Sequence, residues 1–218
     1  MTDIPILFQP NMVDALLTNR KFKTRRILKV QPKVTIIGTN EWLTYPLKEI
    51  LNYRIKKGDR LWVKEQHYAI GYWRTTDSFT KTGKPKRIFV RDTDEPVAFD
   101  GIHDVLSNSL ERRYGWYKRN SLFHCKADSR ITLTVTDVRI QRLQDISEAD
   151  AIAEGAMEYD GGYCFGVGGL FWAATAKKSF EYLINSINGP DTWERNDWVG
   201  AISFEVHKGN VDQLRTNP

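Results

Sequence analysis

The stretch Pro10-Asn11-Met12-Val13-Asp14-Ala15-Leu16-Leu17-Thr18-Asn19-Arg20-Lys21-Phe22-Lys23-Thr24-Arg25-Arg26 says most about the fold of this chain. Met12, Val13, Leu16 and Leu17 recur at helical spacing behind a proline suited to a first helical position. That predicts a short amphipathic helix over 10–18, with Asn19 as its C-terminal cap. Seven Lys or Arg and no acid lie between Arg20 and Lys33. The helix therefore delivers the chain into a cationic turn and an ensuing strand, for which Ile27–Val30 is the apolar candidate. Such a turn suits a phosphate or a carboxylate, and it also holds a lysine and a hydroxyl three residues apart.

Outward from that stretch, Ile4–Gln9 reads as a strand before the helix. Gly58-Asp59 is a turn before a strand over Arg60–Glu65. Arg130–Leu143 alternates apolar and polar residues and is the clearest strand, with a bulge or bend at Thr136-Asp137. Ser147 caps a helix running to Glu154, which Gly155 ends. Asp160–Gly169 reads as a glycine-rich loop, Phe171–Ile187 as a longer helix, and Trp198–Val206 as a closing strand. The tail from Gly209 is polar and expected to fray. Residues 66–128 carry scattered aromatics and charges, a polar loop at 81–86, and short strands at Ile88–Val90 and Pro96–Phe99. They read as an insertion in a single domain spanning 1–218. Successive strands with few helices predict an α+β, mainly β fold, a small barrel with flanking helices.

Composition narrows the class. A chain of 218 residues with 41% hydrophobic residues has enough apolar material for a core. Its net charge of +5 suits a nucleic acid, a nucleotide or another anionic small molecule. Two cysteines make no disulfide scaffold and fit a reducing cytoplasm. No apolar run approaches the roughly 18 residues of a spanning helix, and the N-terminus has no signal-peptide pattern. No membrane partner is expected, and the sequence leaves the oligomeric state open. The spacings of His67, His103, His124, Cys125 and Cys164 match no zinc pattern. The glycine loop 161–169 lacks the Gly-Lys-Ser/Thr ending of a phosphate-cradling loop. Neither a metal nor a cofactor is expected.

Taken together, the helix into Asn19-Arg20-Lys21-x-x-Thr24-x-Arg26, the Gly58-Asp59 turn before a strand, and the long strand ending in Leu-x-x-Ile-Ser-Glu resemble the ASCH domain family. This family belongs to the PUA-like superfamily of small β-barrels. The matching fragments are 4–30, 58–65, 130–157 and 198–206, and the region 66–128 lies outside them. Two positions depart from the usual signature. Asn19 stands where Gly is usual, and asparagine tolerates a left-handed backbone. Thr24 stands where an acid is usual. The chain looks like the larger ASCH proteins of phage and prophage genomes. It also resembles the small bacterial ASCH enzymes that hydrolyse acetylated cytidine. That resemblance implies Lys21, Thr24 and Glu154 as a catalytic set, in a pocket formed by the turn 19–26, the strand around Trp62–Glu65 and the helix 147–155.

The residues themselves leave alternatives open. Like charges around Lys21 lower its pKa and suit a base for the Thr24 hydroxyl, but the same lysine also suits a phosphate anchor. Glu154 reads as a functional carboxylate or as a salt-bridge partner of Arg25 or Arg26. Arg20, Arg25, Arg26, Trp62 and Glu65 are the candidate substrate- or phosphate-binding residues, Arg26 with a fork that holds anions bidentately. Within the insertion, Arg112, Arg113, Trp116 and Lys118 interleave cations with rings, as single-stranded nucleic acid requires, although rings in such a segment are also used for packing. The expected function is therefore recognition of nucleic acid or a modified nucleobase; the resemblance adds amide hydrolysis at an N4-acylated cytidine as the chemistry it implies. The rivals are a binding module that holds phosphate with the basic turn, and a nuclease, for which no carboxylate cluster is evident.

Overall fold

The computed structural model describes residues 2–31, 33–37, 40–44 and 53–215, the pair of strands at 33–37 and 40–44 by their backbone. In chain order the first elements are β1 (Asp3–Leu7), α1 (Pro10–Leu17), β2 (Lys23–Ile27), β3 (Lys33–Ile37), β4 (Asn40–Thr44) and β5 (Arg60–Lys64). Next come β6 (His67–Phe79), β7 (Pro85–Arg91), β8 (Val105–Leu106), β9 (Gly115–Arg119) and β10 (Thr132–Arg142). Last are α2 (Glu148–Ala153), β11 (Met157–Tyr159), β12 (Gly162–Cys164), α3 (Ala176–Asn188), α4 (Thr192–Arg195) and β13 (Trp198–His207). The architecture is α+β and mainly β.

Five strands form the central sheet in the order β1-β5-β10-β13-β2. Alternation along them sends Ile4 and Ile6, Leu61 and Val63, Leu133 and Val135, and Ile202 and Phe204 into one core. Met12, Val13 and Leu16 of α1, and Phe180, Leu183 and Ile184 of α3, close on that core. The β10–β13 ladder shifts register between Val135 and Asp137, where the expected bulge lies.

The sheet is not a closed barrel. Its edges are β1 and β2, and no strand ladder joins them among the described residues. A side chain bridges the seam instead: Arg26 Nη2 donates to the Leu7 carbonyl at 2.6 Å.

α1 ends as a Schellman motif. Arg20 N–H reaches the Ala15 carbonyl at 2.8 Å and Asn19 N–H reaches Leu16 at 3.1 Å, with Asn19 left-handed at φ 54°. The strand after it begins at Lys23, four residues before the apolar candidate, because β2 pairs with β13 from Lys23↔Ser203 to Ile27↔Val199. Basic residues thus enter the sheet itself.

Residues 66–128 contain a second sheet, in the order β7-β6-β9-β8. Its 13-residue strand β6 has no simple apolar alternation to announce it. Pro96–Phe99 is not a strand; only Ala98 bridges to Tyr68. The expected glycine loop is partly a hairpin of β11 and β12, turned at Asp160-Gly161, both with positive φ. Asp-Gly between two short strands is the local signal for that turn. The long helix α3 starts five residues later than expected, where the Thr175 side chain caps it. The tail does not fray at Gly209: Val211 is fully buried and its carbonyl accepts from Arg60 Nη1 at 3.0 Å. Residues 216–218 lie outside the described residues. No described helix is long and apolar enough to cross a membrane, and Cys125 and Cys164 are unpaired thiols, one exposed and one buried.

Candidate functional site

The basic turn is held from three sides. Arg20 and Lys21 N–H groups both reach the Ala15 carbonyl, Phe22 N–H reaches Ala153 at the end of α2, and the Phe22 carbonyl accepts from Phe204 N–H. The Phe22–Ala153 bond sets Lys21 opposite Glu154, the C-cap residue of α2. Gly155 packs there too: a Cβ on it would sit 3.0 Å from Ala15 Cβ and 3.5 Å from Lys21 Cβ.

Opposite charges then meet in register. Lys23 and Arg25 share one face of β2, since strand side chains alternate. Asp150 and Glu154 share one face of α2, four residues apart. Lys21 Nζ donates to Glu154 Oε2 and to the Glu154 carbonyl, each at 2.7 Å. Arg25 Nη1 reaches Glu154 Oε1 at 3.1 Å and its Nη2 reaches Asp150 Oδ2 at 2.7 Å. Lys23 completes the cluster on Asp150. Lys21 is 2% exposed, Glu154 3% and Arg25 5%. Burial drives the Lys21 pKa down; Glu154 opposes this, Arg26 and Arg25 add to it, and the net is a lowered value. Burial pushes Asp150 up, but Lys23 and Arg25 outweigh it and hold its carboxyl below the usual range.

Thr24 lies on the other face of β2, opposite Ile202, and is buried. No hydrogen bond joins its hydroxyl to Lys21 or Glu154. Arg26 shares that face, and burial lowers its pKa. Its guanidinium carbon lies 5.0 Å from the Phe8 ring centroid, and Lys21 Nζ lies 5.7 Å from the same ring. Arg26 also lines a cleft of roughly 490 Å³ along the β1–β2 seam, with Ile6, Leu7, Leu28, Tyr53 and Ile55 among its walls. Tyr53 covers Gly200 so closely that a Cβ there would meet its ring carbon at 2.5 Å. Burial raises the Tyr53 pKa.

The other candidate residues fall elsewhere. Arg20 is tied to Asp14 at 2.5 Å. Trp62 alternates to the face of β5 away from the core residues Leu61 and Val63, under Lys64 at 5.5 Å. Glu65 is buried in a smaller cleft with Asp14, Phe99 and Arg130. Arg130 Nε and Nη2 grip its two oxygens at 3.2 and 3.0 Å. The expected pocket is therefore split: Trp62 faces away from it and Glu65 lines a different cleft. Lys21, Thr24 and Glu154 line neither cleft. Arg112, Arg113 and Lys118 are exposed and Trp116 is half-buried.

The sequence did not single out Asp150, Phe8, Tyr53 or Arg130 as site residues. The i, i+4 spacing of Asp150 and Glu154 was the available signal for Asp150. Among the described residues, no group of three or more His, Cys, Asp or Glu could hold a metal ion. No protein-family model, curated protein or solved structure matches this chain.

Proposed function

We propose that this chain is an ASCH-type protein of PUA-like fold that recognises a modified nucleobase and hydrolyses the amide of an N4-acylated cytidine, with Lys21, Thr24 and Glu154 as its chemical set. The observation that carries this reading is the Lys21–Glu154 contact of 2.7 Å. Two of the three residues implied by the resemblance meet although 133 positions separate them.

In this reading Lys21, whose pKa burial lowers, takes the Thr24 proton as the hydroxyl attacks the acyl carbon. The bond from that carbon to the exocyclic nitrogen breaks, and the proton leaves with the amine. Water then cleaves the threonyl ester and releases the acid. Glu154 steadies the ammonium form of Lys21 between these steps. The seam cleft is the candidate for the base: Arg26, on the strand face of Thr24, lines it, although Thr24 itself does not. A module that grips phosphate with the basic turn is less well supported. Lys21 and Arg25 are almost fully buried, and Glu154 and Asp150 already answer their charges.

The test is acid release from N4-acetylcytidine by wild type, Thr24→Ser and Thr24→Val. Wild type and the serine variant should turn over, and the valine variant should lose activity by about 100-fold or more with its unfolding midpoint nearly unchanged. Full activity in Thr24→Val removes the nucleophile. No acid release by wild type removes the reading altogether.

A further inference from the structure

Arg119, the last residue of β9, is 8% exposed. Its guanidinium carbon lies 4.1 Å from the Phe89 ring centroid and 4.9 Å from those of Trp73 and Phe123. Neither a carboxylate, a carbonyl nor a hydroxyl accepts from it among the described residues. Burial alone acts on its pKa, downward. None of its nitrogens is both sealed from water and unpartnered; the stacked rings contribute about 0.5–2 kcal/mol, and its donors stay available to an incoming acceptor.

Its neighbouring arginines have acceptors for their terminal nitrogens. Arg91 is held by both oxygens of Asp128, and Arg87 donates to the carbonyls of Asn108 and Leu110. The structure thus directs the local acceptors to other arginines and leaves the caged one open. The cage opens to solvent at Phe123, which is 61% exposed.

Rings and cations continue on either side. Arg87 lies 5.4 Å from the Trp73 ring. Beyond Phe123, Lys64 Nζ binds the Leu122 carbonyl at 2.7 Å and stands over Trp62. Lys64, Arg87 and Arg119 take part in no ion pair among the described residues. Flat rings interleaved with cations that have no carboxylate partner suit single-stranded nucleic acid, whose bases stack while its backbone meets the charges. Paired bases offer no free faces to such rings.

We propose that this row binds single-stranded nucleic acid, with Arg119 taking a backbone phosphate and the exposed Phe123 ring, together with Trp73 across Arg119 from it, stacking bases. The surface is separate from the seam cleft and does not depend on any hydrolysis there.

Fluorescence anisotropy with a labelled oligonucleotide of about 12 nucleotides, within the site size of such surfaces, tests it. Wild type should bind with an affinity that falls as salt rises. Phe123→Ser, at an exposed ring, should weaken binding by roughly tenfold with the fold intact by circular dichroism. Arg119→Gln should weaken it and reduce the salt slope by about one. Absence of binding by wild type, equal affinity for a duplex of the same sequence, or unchanged affinity in Phe123→Ser overturns the proposal. The assay reads no turnover, so failure of acetylcytidine hydrolysis leaves it standing.

Discussion

The Lys21 ammonium binds Glu154 twice, once through the carboxylate and once through the main-chain carbonyl, both at 2.7 Å. One residue thus supplies a counter-ion and an acceptor at the C-terminal end of α2. The second bond places a cation where the helix leaves carbonyls unpaired, offsetting a carboxylate at an end that disfavours it.

Removing the Glu154 carboxylate strands a buried ammonium and half of the Arg25 fork. Glu154→Ala should lower unfolding free energy by about 3–5 kcal/mol, and Lys21→Met in the same chain should recover most of it. Urea unfolding of the single and double variants measures this. A loss under roughly 1 kcal/mol in Glu154→Ala, the range of an exposed pair, would show that the contact does not hold the turn.

Asn19 occupies a left-handed position at φ 54°. Asn19→Gly should change stability by less than about 1 kcal/mol, whereas Asn19→Val should cost about 1–2 kcal/mol or more. The two thermal midpoints should separate accordingly; equal midpoints contradict the cap geometry.

Gly155 carries φ 108° and faces Ala15 and Lys21. Gly155→Ala combines backbone strain with a tight contact against α1, and should destabilise by about 1–3 kcal/mol. Chemical denaturation gives the value, and a neutral result would mean that α1 and α2 part easily.

His124 is buried, and its Nδ1 accepts the Glu65 N–H at 3.1 Å. Burial first, and the nearby His67 second, bring its pKa down from 6.5 to about 4. Burial also lowers the pKa of His67. Between those two values the unfolded chain binds a proton that the folded His124 refuses. Stability should therefore be level above about pH 6.5 and fall as pH drops toward about 4, by up to roughly 3 kcal/mol. His124→Asn retains an acceptor without the titration. Its stability should depend less on pH across that window; an unchanged slope assigns the effect to other groups.

The sequence was most legible where structure is local. Met12, Val13 and Leu16 mark a helix by spacing alone, and Ser147 accepts from Asp150 N–H as an N-cap should. The alternation in 130–143 fits β10 and its bulge. β6 was obscured because both of its faces near His67–Tyr72 are at least half-covered, which erases a two-residue period. The start of β2 was misplaced because Thr24 and Arg25 are buried polar residues, and their burial depends on β13 and α2 rather than on their own hydrophobicity. Glu154 and Lys21 were named together from a resemblance, and Arg25 or Arg26 was weighed as a salt-bridge partner; that Lys21 and Arg25 both meet Glu154 required the fold.

By itself, the sequence determined the helix after the first strand, its exit through Asn19, the long strand at 132–142 and the closing strand. Each follows from side-chain period, capping chemistry or backbone preference within a few residues. Only the tertiary structure decided which charges were spent and which stayed open. Lys21, Lys23 and Arg25 are answered by α2, Arg26 spans an open seam to Leu7, and Arg119 is caged by rings without an acceptor. A cation's partner is set by distance and burial, and the acids and carbonyls at issue lie up to 133 residues away along the chain.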